Sequence, residues 1–182
     1  MFASLIAAVM AATTPPPAAA TLPPPVRRQE LLFEAARLGR TDLIAPLVTS
    51  GVDVNARDPR GFTPLSLAAY NDHLDTVNAL IAAKADACLP DRDQGNTAQM
   101  GVAFKGYDPI AARLLKAGCD VNARNKAGQT ALMMAALFGR TTQIDMLVAA
   151  GADRAVLDAA GNSAASVAAG QGNDKVVKQL GR

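Results

Sequence analysis

Apolar residues recur along most of the chain at the spacing of short amphipathic helices. In residues 64–70, Leu65, Ala68 and Ala69 fall on one face, at positions i, i+3 and i+4. In residues 74–83 the same spacing turns an apolar face of the segment inward. The two segments meet at Asn71 and Asp72, where the pattern stops. Two short antiparallel helices joined by a tight turn are therefore predicted.

This pair of segments is repeated at a fixed interval. Four glycines, each followed two positions later by Thr or Ser, are spaced 34, 33 and 33 residues apart: Gly61, Gly95, Gly128 and Gly161, with Thr63, Thr97, Thr130 and Ser163. The inward positions of the second segments also keep their register: Ile44, Leu47, Val48; Val77, Leu80, Ile81; Ala111, Leu114, Leu115; Ile144, Leu147, Val148. A period in this range is typical of a solenoid, in which each unit buries its apolar face against a neighbour.

Five units are predicted, at residues 29–58, 59–91, 92–125, 126–158 and 159–182. In the second, Thr63 is expected to cap a helix and Pro64 fits its first position. The first helix is expected to stop at Asp72, where the other units have glycines suited to a left-handed conformation: Gly39, Gly106, Gly139 and Gly172. The first unit lacks the Gly-x-Thr opening and the last lacks an exit loop, so both are interpreted as caps with more polar outer faces.

These motifs resemble those of ankyrin repeat proteins over residues 29–180. The resemblance is carried by "GFTPLSLAAYNDH", "GQTALMMAALFGR", "SGVDVNARD" and "AGCDVNARN", which recur in register. It implies an all-α fold, an ankyrin-repeat solenoid of helix pairs with hairpin-like loops, in about five units including two caps. It further implies a protein-binding role. The residues themselves predict no catalytic residue, cofactor or metal.

The units also depart from the family pattern. The histidine of the "TPLH" motif is replaced by Ser66, Met100, Met133 and Ser166, so its hydrogen bonds are expected to be lost. In the third unit an extra residue lies near Arg92 and Asp93, and Gln99 stands where leucine is expected, which predicts the softest unit. Pro46 lies inside a second helix and should bend it.

Composition and charge argue against several functions. The 182 residues contain 18 basic and 16 acidic side chains, a net charge of +2 without a Lys/Arg run, which gives no support to nucleic-acid or membrane-surface binding. The single histidine, His73, lies at a turn and has no partner at a spacing suited to metal or catalysis. Asp53, Asp86, Asp120 and Asp153 recur once per unit, which favours loop-stabilising hydrogen bonds.

Residues 1–25 are predicted to be a signal peptide or an Ala/Pro-rich leader ahead of an ankyrin domain at 26–182. They carry no charge, and an apolar run from Phe2 to Ala12 precedes Ala18-Ala19-Ala20, a small-x-small cleavage pattern, although a basic start is missing. We expect export to the periplasm or secretion, and a cytoplasmic location if the leader stays. Cys88 and Cys119 lie near one edge of adjoining units, but neighbouring helices are 8–10 Å apart and a disulfide needs Cα atoms within about 7 Å, so their pairing is left open.

The predicted partner surface combines loop tips with the ends of the first helices. It consists of Arg57, Arg60, Phe62, Tyr70, Asn71, Asn96, Phe104, Lys105, Arg124, Lys126, Gln129, Leu137 and Phe138. Aromatic and arginine side chains are frequent anchors of interfaces. The hypothesis is a groove with an apolar floor and a basic edge that holds an acidic segment of another protein; the alternative is that the rings only cover neighbouring backbones.

The function expected from these features is a non-enzymatic interaction module or scaffold, monomeric, that stabilises or regulates a protein partner in a bacterial periplasm. The alternatives are a secreted effector that binds a host protein, and an enzyme with an unrecognised pocket. Nothing in the residues points to nucleic acid, or to a membrane span in the mature chain.

Overall fold

The computed structural model describes residues 22–181, which form ten α-helices and no strand. The helices are α1 (Pro25–Leu38), α2 (Thr41–Thr49), α3 (Pro64–Tyr70), α4 (Leu74–Ala82), α5 (Ala98–Lys105), α6 (Asp108–Leu115), α7 (Ala131–Leu137), α8 (Thr141–Ala149), α9 (Ala164–Gly170) and α10 (Asp174–Leu180). Most of the predicted leader, residues 1–21, lies outside the described residues. The predicted all-α solenoid of five helix pairs is confirmed.

Successive pairs stack in chain order. Each first helix packs on its own partner and on the first helix of the next unit, from α1 through α3, α5 and α7 to α9. Contacts between neighbouring first helices are more extensive than those between neighbouring second helices. Small residues such as Ala68 and Ala135, both fully buried, allow this close approach. The first helices therefore form the inner side of the stack.

The core runs along the stack in two clusters that divide within the third unit. Ala98 and Val102 of α5 belong to the cluster of the first three units, whereas Met100 and Ala103 of the same helix belong to the cluster of the last three. The predicted inward positions of the second helices are confirmed, since Ile44, Val77, Leu80, Ala111, Leu114, Ile144 and Leu147 are buried and Leu47, Val48, Ile81, Leu115 and Val148 pack against them.

Four first helices begin at the predicted Thr or Ser caps. The side-chain oxygens of Thr63, Thr97, Thr130 and Ser163 accept backbone N–H groups three residues on, at 3.1, 3.3, 3.3 and 3.2 Å. In two units a serine forms hydrogen bonds at the position of the missing histidine. The hydroxyls of Ser66 and Ser166 accept the backbone N–H of the cap residue, each at 2.9 Å, and so complete a capping box.

The turn within each pair uses a left-handed residue, as predicted. Gly106 has φ of +88°, and Asp72, the residue that replaces glycine in the second unit, has φ of +64°. Aspartate is among the few side chains that tolerate this region. The chain therefore reverses within two or three residues in every unit.

The loops between units are joined to one another by hydrogen bonds. The N–H groups of Arg92, Lys126 and Ala159 donate to the carbonyls of Gly61, Gln94 and Ala127 one unit earlier, at 3.2, 2.9 and 2.9 Å. The predicted loop role of the repeated aspartates is also seen: Asp53, Asp86, Asp120 and Asp153 each accept the backbone N–H two residues later at 2.8 Å.

Three details refine the sequence picture. Helix α1 begins at Pro25, inside the predicted leader, because proline is well suited to the first helical position. Helix α2 continues through Pro46 from Thr41 to Thr49. Cys88 and Cys119 are disulfide-bonded with their Cα atoms 5.3 Å apart. The bond joins exit loops rather than helix axes, and helix spacing therefore underestimated how close the two residues lie.

Candidate partner-binding surface

Three exposed aromatic rings lie in contact along the inner side of the stack. Tyr70, Phe104 and Phe138 end the first helices of the second, third and fourth units and are 43, 37 and 40% exposed. The Tyr70 and Phe104 ring centroids are 6.2 Å apart with nearly parallel planes, and those of Phe104 and Phe138 are 4.5 Å apart and edge to face. We call these three rings the aromatic row.

The register of the repeat explains why Tyr70 and Phe104 meet, and Phe138 lies one position further along its unit. Tyr70 and Phe104 each precede the left-handed turn residue by two positions, and Phe138 precedes Gly139 by one. Gly101 of α5 lies beside the Tyr70 ring of α3, and a Cβ at this position would be in van der Waals contact with Cδ2 of that ring, at 3.4 Å. α3 and α5 therefore lie close together where the Tyr70 and Phe104 rings stack.

Two cations lie over aromatic faces at this surface. The Lys105 Nζ is 4.4 Å from the Tyr70 centroid and 5.9 Å from that of Phe104, and the Arg60 guanidinium is 5.3 Å from the centroid of Phe62. Such contacts are favourable by about 0.5–1 kcal/mol at exposed sites. They hold positive charge beside the rings without burying it.

A cavity of about 580 Å³ opens beside the row, between the second and third units. It is lined by Pro59, Arg60, Phe62, Ser66 and Tyr70 on one side and Asp91, Asp93, Gln94, Asn96, Thr97, Ala98 and Gly101 on the other. A second cavity of about 330 Å³ adjoins the first unit and shares Arg60, Phe62 and Tyr70, with Arg37 and Asn71 added. Together these cavities form a groove that follows Tyr70, which we call the inner groove.

The charge of the inner groove is mixed, which departs from the predicted basic edge. Arg60 lies on one wall and the exposed Asp93 on the other. Asp91 is buried, and its carboxylate accepts the N–H groups of Gln94, Gly95 and Asn96 at 2.7, 2.9 and 3.2 Å. Its charge therefore stabilises the loop tip.

Asp58 holds the preceding tip in the same way. Its Oδ1 accepts the N–H groups of Arg60 and Phe62 at 3.0 and 2.9 Å. Its Oδ2 lies 3.8 Å from a guanidinium nitrogen of Arg37 and 3.6 Å from Nε of Arg60. The buried carboxylate therefore keeps both arginines at the groove.

The structure places the predicted residues in two groups. Those gathered at the inner groove or the aromatic row are Arg60, Phe62, Tyr70, Asn71, Asn96, Phe104, Lys105 and Phe138. The others lie outside it: Arg57, Arg124 and Lys126 donate hydrogen bonds to backbone carbonyls of a neighbouring loop, and Gln129 and Leu137 are partly buried.

The bridging contacts are specific. Arg57 donates to the Pro90 carbonyl at 2.8 Å, and the Lys126 ammonium donates to the carbonyls of Arg92 and Asp93 at 2.7 and 2.8 Å. These cations join neighbouring loops, and their role in holding the stack together competes with the partner-binding role predicted for them.

Sequence reasoning missed one groove residue, Arg37, and two other regular features of the stack. Arg37 lines the groove two positions before Gly39, in register with Tyr70. Leu38, 69% exposed, is in register with Phe138. The loop-tip residues Asp58, Asp91, Asn125 and Asp158 recur at intervals of 33, 34 and 33 residues, a signal as regular as that of the glycines.

His73 has a structural contact at its turn. Its Nε2 lies 3.0 Å from the Arg37 carbonyl, and its ring packs where a side chain at Gly39 would otherwise stand. Among residues 22–181, no cluster of three or more His, Cys, Asp or Glu side chains could hold a metal ion. No helix in that part of the chain is long and apolar enough to cross a membrane.

Comparison with known proteins identifies the family. The family model for ankyrin repeats in three copies matches residues 31–125 and again 99–181. The chain belongs to the ankyrin repeat family. Ankyrin repeats act as protein-interaction modules, and the chain is such a module.

Similar curated proteins are ankyrin proteins with far longer chains. Ankyrin repeat and KH domain-containing protein mask-1 of Caenorhabditis elegans is 32% identical over 154 residues, which is 84% of this chain and 6% of that protein. Human ankyrin repeat domain-containing protein 63 is 35% identical over 112 residues, 59% of this chain and 29% of that protein. Mouse ankyrin repeat and SAM domain-containing protein 6 is 34% identical over 113 residues, 62% of this chain and 13% of that protein. The chain spans less than a third of each of these relatives.

Proposed function

We propose that this protein is an exported, non-enzymatic binding module whose aromatic row and inner groove hold a segment of another protein and thereby stabilise or regulate it. The observation that carries the proposal is the aromatic row itself: three adjoining rings, each more than a third exposed, on the inner side of the stack. Large aromatic side chains dominate the binding energy of many interfaces.

The arrangement suits binding because the rings are already ordered. Tyr70 and Phe104 lie at the ends of helices whose other faces are buried, and their mutual packing restricts their rotamers. A surface that is formed before binding loses less conformational entropy on association. A single exposed ring could simply cover the backbone of a neighbouring unit. Three rings in contact with one another, beside a groove, favour a binding site for a partner.

The cations define the chemistry of the partner segment. Arg60 and Lys105 lie over rings beside the groove, where an acidic side chain would meet positive charge in a partly desolvated setting. Asp93 on the opposite wall disfavours a uniformly acidic chain. We infer an extended segment with an apolar anchor for the aromatic row and one or two acidic residues aimed at Arg60 and Lys105.

Capture from an envelope extract, with matched variants, tests the binding role. The row variant carries Tyr70→Ala, Phe104→Ala and Phe138→Ala, and should lose the captured protein while its far-UV circular dichroism stays that of the wild type. The control variant carries Val26→Ala and Leu157→Ala, two apolar side chains that are 73 and 52% exposed outside the row. It should capture as the wild type does. Equal capture by the row variant would exclude the row as the binding surface.

Export to the periplasm is the second part of the proposal. It is supported by the uncharged apolar run ahead of Ala18-Ala19-Ala20 and by the Cys88–Cys119 disulfide, since disulfides persist mainly in oxidising compartments. Expression of the full chain in a bacterium should give a shortened, oxidised protein in the periplasmic fraction. The variant Leu5→Arg, which places a charge in the apolar run, should stay full-length in the cytoplasm. Full-length wild type in the cytoplasm would refute export, and delivery into host cytosol would support the effector alternative instead.

A further inference from the structure

Two exposed arginine side chains line the smaller cavity of the inner groove. Arg37 lies at the end of α1 and Arg60 in the loop before α3, and both line the cavity of about 330 Å³ beside the first unit. Their side chains are 44 and 62% exposed, so their N–H groups can be reached from solvent. We call this cavity the arginine pocket.

One buried carboxylate holds both guanidinium groups in place and leaves their donors free among the described residues. Asp58 is 2% exposed, and its Oδ2 lies 3.8 Å from Nη2 of Arg37 and 3.6 Å from Nε of Arg60, which is longer than a hydrogen bond. Residues 1–21, outside the described part of the chain, contain no acidic side chain that could pair with them.

The charge of the arginine pocket matches a monoanion. The two guanidinium groups and the single Asp58 carboxylate leave one positive charge uncompensated. The lining contains no acidic side chain among the described residues. Arginine presents its N–H groups in a planar fork that fits a carboxylate. A carboxylate therefore suits the pocket better than a phosphate group, which carries nearly two charges.

The other walls of the arginine pocket require more than a free anion. Phe62 and Tyr70 supply ring surface next to the guanidinium groups, and that of Arg60 lies 5.3 Å from the Phe62 centroid. The exposed Asn71 donates through Nδ2 to the Leu67 carbonyl at 2.7 Å, which leaves its Oδ1 to accept from a ligand. The occupant therefore combines a carboxylate, a large apolar group and an N–H donor in a small volume.

The C-terminal residue of a protein carries these three groups on one Cα atom. An internal acidic residue has its carboxylate on a side chain, and in an extended segment the next side chain points to the opposite face. An apolar neighbour of an internal acidic residue would therefore point away from the rings. The cavity of about 330 Å³ lies at the small end of ligand pockets, which suits one or two residues.

We propose that the arginine pocket binds the free C-terminus of the partner protein, with the terminal carboxylate bridging Arg37 and Arg60. The terminal side chain, large and apolar, packs on Phe62 and Tyr70, and the terminal N–H donates to Oδ1 of Asn71. This inference rests on the proposed function and adds a direction to it. The bound segment ends at the first unit, and the residues before its terminus run along the inner groove toward the aromatic row.

The probe for the test is N-acetylphenylalanine, a mimic of a terminal residue, titrated into the full oxidised chain. NMR signals of the Nε–Hε groups of Arg37 and Arg60 should shift together with those of the Phe62 ring. A probe of this size should bind with a Kd on the order of 1 mM.

Two comparison compounds separate the terminal carboxylate from charge and ring alone. N-acetylphenylalaninamide has the ring without the charge. Acetyl-aspartyl-phenylalaninamide has the ring and one negative charge, but the charge is on the preceding side chain. Both should bind at least about tenfold more weakly, because hydrogen bonds between the terminal carboxylate and the guanidinium groups are lost.

Single substitutions test which side chains hold the carboxylate. Arg37→Gln and Arg60→Gln should each weaken binding of N-acetylphenylalanine at least about tenfold, with unchanged far-UV circular dichroism because Asp58 keeps the other arginine. Arg37→Lys, which keeps the charge, should bind more tightly than Arg37→Gln. The matched control is Arg40→Gln, which removes an arginine of the same unit whose side chain is 56% exposed and pairs with Asp42 at 2.7 Å. It should bind as the wild type does.

Equal affinity for the acid and for either comparison compound would overturn the proposal. So would unchanged binding in Arg37→Gln and Arg60→Gln, or no shift at about 20 mM probe. Failure of this site is separable from failure of the proposed function. Loss of capture in the row variant, with full probe binding in both arginine variants, would refute only the C-terminal site. Probe binding that depends on both arginines, with capture unchanged in the row variant, would support the site and refute the aromatic row.

Discussion

Removal of the Cys88–Cys119 disulfide should destabilise the protein strongly, with the effect centred on the third unit. The two cysteines are 31 residues apart, and the closed loop contains helices α5 and α6. A cross-link over a loop of about 30 residues lowers the entropy of the unfolded chain enough to stabilise the fold by about 3.5 kcal/mol. Domains are stable by only about 5–15 kcal/mol in total, so the loss is large.

The enclosed helices make the effect local as well as large. Helix α5 contributes residues to both core clusters, and it carries the Gln99 amide, which has no hydrogen-bond partner in the described residues. Units of a solenoid are stabilised mainly by their neighbours, so a weakened third unit opens the connection between the two halves of the stack. We therefore expect faster exchange of amide hydrogens in α5 and α6 than in α3 and α7.

Urea denaturation of the oxidised wild type and of the double variant Cys88→Ala, Cys119→Ala measures the change. The variant should lose about 3.5 kcal/mol, or roughly 7–14 °C in Tm at 2–4 °C per kcal/mol for a chain of this size. The wild type under reducing agent should behave like the variant, and the variant should not respond to reducing agent. A loss below about 1 kcal/mol, or a loss of protection spread evenly over all units, would refute the reasoning.

Three further predictions concern caps, turns and charge. Thr130→Ala removes the cap of α7 and should cost about 1 kcal/mol in urea denaturation, whereas Thr130→Ser should be close to neutral. Gly106→Ala places a Cβ 2.9 Å from Nε of Arg140 at φ of +88° and should lower the stability by about 1–2 kcal/mol; an unchanged Tm would contradict this. The pKa of Asp158 lies below its ordinary value, chiefly because its carboxylate accepts the Asn162 N–H, so its contribution to stability is present above the ordinary pKa and is lost as pH falls through the lowered one. Carboxyl-carbon NMR should show the low pKa in the folded protein, and Asp158→Asn should remove that part of the pH dependence.

Much of the fold follows from the sequence because each unit repeats the same local physics. The spacing of Val77 and Leu80 predicts that α4 has one buried face. Thr63 marks the start of α3, and Asp72 marks the turn that ends it. Repetition lets each weak local signal be checked four times, so register and helix faces could be predicted together.

The contacts between units were harder to predict because they depend on distances that one unit does not contain. The disulfide was left open since helix spacing says little about exit loops, which approach to a Cα separation of 5.3 Å. Exposure of Arg57 and Lys126 was expected, whereas their charged ends bond to carbonyls of the neighbouring loop. Long side chains on loop tips can reach across a unit boundary, and the sequence does not show where they end.

The candidate surface was predicted in part for the same reason. Tyr70 and Phe104 share a register position, so their alignment along the stack could be anticipated. The distance between their rings depends on how closely α3 and α5 pack, which is a property of the two helices together. The unpaired amide of Gln99 likewise becomes visible only when its surroundings are known.

The most direct test of the binding role is the NMR response of the ring carbons of Tyr70, Phe104 and Phe138 in the purified protein when the captured partner is added to saturation. Binding through the aromatic row predicts that these ring signals shift and become protected from solvent, while the outward-facing residues of α4 and α8 keep their signals. Shifts confined to the second helices, with the three ring signals unchanged at saturation, would contradict it.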